Sequence, residues 1–192
     1  MYTLIIDSAT KVLYHALVKD DKVVKEIYTK GQNDHAKNIV FLIEKMLKEE
    51  NITVDNLDKI VCGIGPGSYT GVRMAVTVAK MLSSFKNIPL YEISTLKLIS
   101  SGESGKVLAM IDARRGNAFS AIYQEGNLVL SEAMRAKEEV MKESYDVIVD
   151  ESNYKVDPFK AIACSVRHEN PHSLNPNYLR ETEAERNAKN EN

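Results

Sequence analysis

Residues 70–85, TGVRMAVTVAKMLSSF, follow helical spacing but leave room for only one narrow polar strip. At about 100° per residue, Arg73, Thr77, Lys80 and Ser84 fall together on the wheel. Val72, Met74, Ala75, Val76, Val78, Ala79, Met81, Leu82 and Phe85 occupy the rest. A sheet packed on such a helix covers a single stripe. The remaining apolar surface is covered either by the second half of the chain or by another polypeptide. Met74, Val78, Met81 and Phe85 suit an adaptable protein interface, and the same residue types are equally at home in a core.

The helix is launched from Gly63-Ile64-Gly65-Pro66-Gly67-Ser68-Tyr69-Thr70-Gly71-Val72-Arg73, which holds four of the chain's nine glycines. An apolar run at 59–64 precedes it and reads as a buried strand. Strand, glycine turn and helix start together can aim backbone N–H groups at an anion. The spacing fails the Walker pattern, since no Lys-Ser or Lys-Thr closes it. It also misses the dinucleotide fingerprint, because Gly71 comes one residue too late after Gly65 and Gly67. Gly65 and Gly67 permit unusual backbone angles around a stiffening Pro66, and Ser68 or Thr70 can cap the helix. Two readings stay open here. Gly65, Gly67, Ser68, Thr70, Gly71 and Arg73 either contact an anion at the helix start or simply build a turn.

The other elements follow from local pattern. Short strands are expected at 2–6, 12–18, 23–28 and 89–93, with helices at 33–50 and 95–100. In the first of these helices Ile39, Leu42, Ile43, Met46 and Leu47 form the apolar stripe, widened by Val40. Phe41 lies off it among Lys37, Lys45 and Lys48, either resting on lysine stems or awaiting a partner. Ser101-Gly102-Glu103-Ser104-Gly105 reads as a linker. Strands at 106–111, 117–123, 128–133 and 146–149 and helices at 136–144 and 159–166 follow. This second half echoes the first: 112 − 7, 119 − 14, 121 − 16 and 129 − 24 all give 105, pairing Asp7 with Asp112 and Tyr14 with Phe119. Duplication of one strand–hairpin–helix–strand unit is the reading. It divides the chain into lobes at 1–101 and 106–180 and a polar, disordered tail at 181–192. The fold class is α/β, a duplicated actin-like or sugar-kinase-like (ribonuclease H-like) fold with the second lobe truncated.

Chemistry is sparse. A net charge of −2 with interleaved lysines excludes strong unaided nucleic-acid binding. No basic leader or apolar run of about 20 residues marks a secreted or membrane protein, so a cytoplasmic chain is expected. Cys62 and Cys164 then read as reduced core thiols. Of the four histidines, His35 lacks a second ligand one turn on, and Pro171 separates His168 from His172, so no metal site is expected. Asp112 beside Arg114 and Arg115 suggests an orienting ion pair rather than a general base. No glycine occurs in the 66 residues after Gly126, which removes any glycine-rich adenosine loop from the second lobe.

These stretches have a family resemblance. Gly65-Pro66-Gly67-Ser68-Tyr69-Thr70-Gly71-Val72-Arg73 resembles the GPGSFTGLR signature of the bacterial TsaB (YeaZ) family. Asp112-Ala113-Arg114-Arg115-Gly116-Asn117-Ala118-Phe119 is similar to its second block, DARRGEVF. Ile5-Ile6-Asp7-Ser8-Ala9-Thr10 looks like its opening IDTST, and Pro176-Asn177-Tyr178-Leu179-Arg180 like its closing PxYLR. Tyr69, Val72 and Asn117 depart from the usual Phe, Leu and Glu, and the C-terminal part is shorter. The resemblance implies a non-catalytic subunit in the synthesis of threonylcarbamoyladenosine at position 37 of tRNAs reading codons that begin with A. In that family the partner TsaD carries the metal and the transfer chemistry, and the ATPase TsaE joins the complex. The first two helices form the dimerisation surface toward TsaD, or toward a second copy when the chain is alone. Phe41, Met74, Val78, Met81 and Phe85 become the expected interface, and Asp112, Arg114 and Arg115 a structural block. No catalytic residue, metal or cofactor of its own is implied, with nucleotide only at the junction with TsaD. The alternative is an enzyme, a small actin-like phosphotransferase or a TsaD-related metallopeptidase-like protein.

Overall fold

The computed structural model describes residues 1–30 and 35–179, with side chains 35–37 outside the description. The expected helix start at 33, the side chain of the lone His35, Arg180 and the tail at 181–192 therefore lie outside the description. Tyr2–Asp7 (β1), Val12–Lys19 (β2) and Lys22–Lys30 (β3) make an antiparallel meander. His35–Glu49 (α1) follows, then Leu57–Gly63 (β4), Tyr69–Lys86 (α2), Leu90–Ile93 (β5) and Thr95–Ser100 (α3). The second unit runs Lys106–Arg114 (β6), Asn117–Gln124 (β7), Asn127–Ala136 (β8), Lys137–Val140 (α4), Val147–Val149 (β9), Pro158–Cys164 (α5) and Val166–His168 (β10).

The first sheet has the order β10-β5-β4-β1-β2-β3 and the second β8-β7-β6-β9. In each, a hairpin precedes a strand that pairs in parallel with the hairpin's first member, β4 on β1 and β9 on β6. The shared order β3-β2-β1-β4 and β8-β7-β6-β9 is the duplication read from sequence. Its register is finer than one offset. Tyr14 and Ala16 share a core with Phe119 and Ala121, an offset of 105. Leu4 and Ile6, however, face the helices of the first unit as Leu108 and Met110 face Val140, and 108 − 4 and 110 − 6 both give 104. Because strand side chains alternate faces, that one-residue difference puts Asp7 and Asp112 on opposite faces. The two aspartates are not equivalent.

One core lies between the sheets, built from Ile5, Tyr14, Ala16 and Val61 of the first and Val107, Ala109, Ile111 and Phe119 of the second, with α3 between them. A second core fills the outer face of the first sheet under α1 and α2. The outer face of the second sheet has only a small cluster around Val140. The helix expected at 136–144 stops after one turn because Val140 is its single buried side chain; Glu143 and Ser144 supply no second anchor. Val40 is exposed, one position beyond the stripe that faces the sheet, and Cys164 is exposed at the end of an α5 that buries only Pro158 and Ala161. Cys62 is buried as expected. The helical reading of 159–166 gives way at Val166 to β10, which pairs antiparallel with β5 and covers the edge of the first sheet. Among the described residues, no helix is long and apolar enough to cross a membrane.

His15 is the exception within the second core. It lies on β2 between Ile6 and Ile27, is 0% exposed, and neither ring nitrogen has a partner among the described residues. Burial pushes its pKa from 6.5 down to about 4. The folded ring stays neutral where the unfolded ring already takes a proton, so its contribution is complete above pH 6.5 and is lost as pH falls toward 4. The expected loss is about 3 kcal/mol over that window. Urea unfolding of the parent and of His15→Leu between pH 4.5 and 7.5 checks this: the variant is expected to have the flatter pH dependence.

Candidate functional site

The glycine turn is held from below by a buried carboxyl. Asp7 ends β1 at 2% exposure and accepts from Thr95 Oγ1 at 2.6 Å and from the Ala9 N–H at 3.0 Å. Burial raises its pKa, partly offset by those two donors. Thr95 Oγ1 in turn accepts from the Gly65 N–H at 3.1 Å, and the Thr95 N–H donates to the Gly65 carbonyl at 2.8 Å. The Ser68 N–H donates to the Ala9 carbonyl at 2.6 Å, Ser8 Oγ donates to the Gly71 carbonyl at 2.6 Å, and Ser68 Oγ caps α2 by accepting from the Gly71 N–H at 3.3 Å.

The glycines are required by close approach. A Cβ at Gly63 would stand 1.8 Å from Asp7 Oδ2, one at Gly67 2.2 Å from the Ala9 carbonyl oxygen, and one at Gly71 2.0 Å from the Ser8 carbonyl oxygen. The turn between β1 and β2 therefore occupies the space an anion would need. The N–H groups of Gly65, Ser68, Gly71 and Val72 are already bonded within the protein. Of the two readings left open above, the geometry supports the structural turn. Asp7 is a tie between segments rather than a group aimed into a cleft.

Asp112 behaves differently. It is exposed and pairs with Lys137 Nζ at 2.8 Å, which holds its carboxyl below the usual range. The expected ion pair with Arg114 or Arg115 is not the one formed. Both arginines are exposed at the β6–β7 turn, with φ of +64° and +53°, followed by Gly116 at +77°. Left-handed backbone at two consecutive arginines turns their side chains outward from the hairpin. Asp112 lines a depression between the units together with Lys11, Lys30, Met110, Met141 and Glu151, where Lys11 faces Glu151 at 3.6 Å. Among the described residues no three His, Cys, Asp or Glu side chains converge as metal ligands.

The expected interface residues lie on the two neighbouring helices of the outer face, with unequal exposure. α2 buries Val72, Ala75, Val76 and Ala79, packs Met74 and Val78 partly against the same core, and leaves Met81 and Phe85 exposed. Phe85 is 78% exposed, Met81 52%, and Phe41 on the neighbouring α1 60%; Met74 and Val78 are half-buried. Val40, at 55%, joins this exposed apolar face although the sequence pattern assigned it to the core. Arg73, placed with the turn from sequence, lies over the Tyr69 ring and donates to its hydroxyl at 2.6 Å. Thr95, Glu132 and Asn177 were missed as turn-supporting residues, since their partners lie 88, 45 and 113 positions away in sequence.

Comparison with known proteins follows from this geometry. A family model described as "TsaD: tRNA N6-adenosine threonylcarbamoyltransferase" matches residues 22–162. The chain is 33% identical over 137 residues to the tRNA threonylcarbamoyladenosine biosynthesis protein TsaB of Bacillus subtilis (strain 168), covering 70% of this chain and 60% of that one. To the TsaB of Escherichia coli (strain K12) it is 31% identical over 129 residues, 65% of this chain and 55% of the relative. The chain thus spans less than two thirds of the length of either. YeaZ from Pseudomonas aeruginosa has the same fold, with a TM-score of 0.75 at 20% identity over 93% of this chain and 99% of the other.

Gly71→Ala is expected to lower stability by about 1–3 kcal/mol or more, because the Ser8 carbonyl is backbone and cannot swing aside. Tyr69→Phe, which keeps the ring, should stay within about 0.5 kcal/mol. Thermal unfolding of the two variants beside the parent makes the comparison.

Proposed function

The chain belongs to the TsaB (YeaZ) family, and from that premise we propose that it is a non-catalytic scaffold subunit for tRNA modification. It supports threonylcarbamoyl transfer to adenosine 37 of tRNAs reading codons that begin with A, by pairing with a TsaD subunit in a complex that includes TsaE. The chemistry belongs to TsaD. This chain contributes a surface, and nucleotide enters only at the junction between the two.

The observation that carries this reading is the exposure of Met81 and Phe85 on α2, flanked by half-buried Met74 and Val78, together with exposed Phe41 and Val40 on α1. Single exposed apolar residues need no explanation, but four large ones on two packed helices support a contact surface. Its opposite face is fully committed to the sheet, so the helices present these residues without losing their own support. Met81 and Phe85 lie one turn apart and, with Met74, adapt to a facing pair of helices.

Met81→Asp and Phe85→Asp test it. Each should weaken pairing with the TsaD of the same organism by about 2 kcal/mol or more, seen as loss of co-purification and of the heterodimer peak in light scattering. Both side chains are more than half exposed, so the unfolding midpoint should barely change. Full binding by both variants would place the contact elsewhere. Failure of pairing together with a stable homodimer of the parent would identify a second copy as the occupant of this face.

A further inference from the structure

The polar side of α2 is covered in part by residues 171–179: Lys80 and Ser84 are half-buried, while Arg73 and Thr77 are exposed. Leu174 is fully buried in the core beneath α2, and Lys80 Nζ donates to its carbonyl at 3.1 Å. The Asn177 N–H donates to the Ile64 carbonyl at 2.7 Å, and the Asn177 carbonyl lies 3.2 Å from where a Cβ on Gly65 would stand. Tyr178 stacks on Tyr69, with ring centroids 5.2 Å apart and planes at 26°. The crossing segment thus touches the glycine turn and the first turn of α2 together.

This segment is also tied to the second unit. Asn177 Nδ2 reaches Glu132 Oε2 on β8 at 3.4 Å, and Glu132 Oε1 accepts from the Tyr123 hydroxyl of β7 at 2.7 Å. Burial and the Glu132 charge raise the Tyr123 pKa far above its ordinary value, so it remains a donor. The path from β7 to α2 is short: Tyr123, Glu132, Asn177, then Ile64 through the backbone and Tyr69 through Tyr178. The start of α2 is tied to the first unit through Ser8, Ala9 and the Ser68 cap, and this segment adds its tie to the second. Ser68, Tyr69 and Thr70 are all exposed, and the first buried position of the helix is Gly71, which has no side chain to anchor.

Resting on the reading of α2 as the partner-facing helix, we infer that Glu132, Asn177 and Tyr178 are positioning residues: through them the second unit fixes the start of α2 and hence the angle at which Met74, Val78, Met81 and Phe85 meet the partner. The second unit then has a defined task although none of its side chains is among those four. A helix start left loose samples orientations that do not match the partner, and apparent affinity falls with the competent fraction.

The test uses the full chain with Glu132→Ala, Asn177→Ala and Tyr178→Ala, and Glu132→Gln as the conservative variant. Amide hydrogen exchange in residues 69–76 is expected to speed up in the three alanine variants while β6 and β7 amides keep the parent's protection. The Kd for the TsaD subunit, read by calorimetry, should rise about tenfold if the competent orientation falls to roughly a tenth of the population. Glu132→Gln keeps an acceptor for Tyr123 and should recover most of both. Faster exchange with unchanged Kd overturns the inference, as does a weaker Kd with unchanged exchange, which would mean direct contact with the partner. A parent chain that binds no TsaD would overturn the interface reading instead, and the exchange data would still decide whether the brace holds α2.

Discussion

The bond between Asp7 and Thr95 is the point at which four segments of this chain meet. Asp7 closes β1, its second oxygen holds the turn into β2 through Ala9, and Thr95 opens α3 while accepting from Gly65 in the glycine turn. The hydroxyl donates to the carboxyl and accepts from the amide, so its bonding is complete in one direction. Buried polar groups left unpaired cost about 1–3 kcal/mol each, and here each member satisfies the next. The glycine at position 63 follows, since the carboxyl occupies the volume where a side chain would go.

From that tie the geometry of α2 is set on three sides. Below, the glycine turn, the Ser8 hydroxyl and the Ala9 carbonyl fix where the helix begins. Toward the sheet, Val72, Val76 and Ala79 pack into the outer core. Across the polar strip, residues 171–179 lie over it. The fourth side carries Met81 and Phe85. Away from the depression beside Asp112, the two units are packed together: α3 lies between them, and Tyr28 packs against Tyr154 while its hydroxyl accepts from the Val156 N–H at 2.8 Å. One core is thus shared by the two units.

Much of this was visible in the residues. Most strands, both long helices, the duplication and the separation of Met81 and Phe85 from Val72, Val76 and Ala79 follow from periodicity, because spacing fixes the angle between positions on a helix. The failures share a cause. Val40 sits one position past a stripe whose width depends on where the sheet ends. The helix expected at 136–144 had adequate propensity but only Val140 to bury. The pairing of Asp7 with Asp112 rested on counting, and a single residue's difference between strand offsets reversed the face.

The amino-acid order determined that residues 70–85 form a helix too apolar to stand against one sheet, and that the turn before it must be glycine-rich. Those are local properties of spacing and side-chain type. Which parts of that helix would be covered was decided only by tertiary structure. The covering groups, Leu174, Asn177 and Tyr178, arrive from about a hundred residues away on the segment that follows β10, a strand whose three residues carry no pattern of their own. The same holds for the turn. Its glycines look like an anion cradle in sequence, and they became a close-packed joint because the Ser8 and Ala9 carbonyls took the space first.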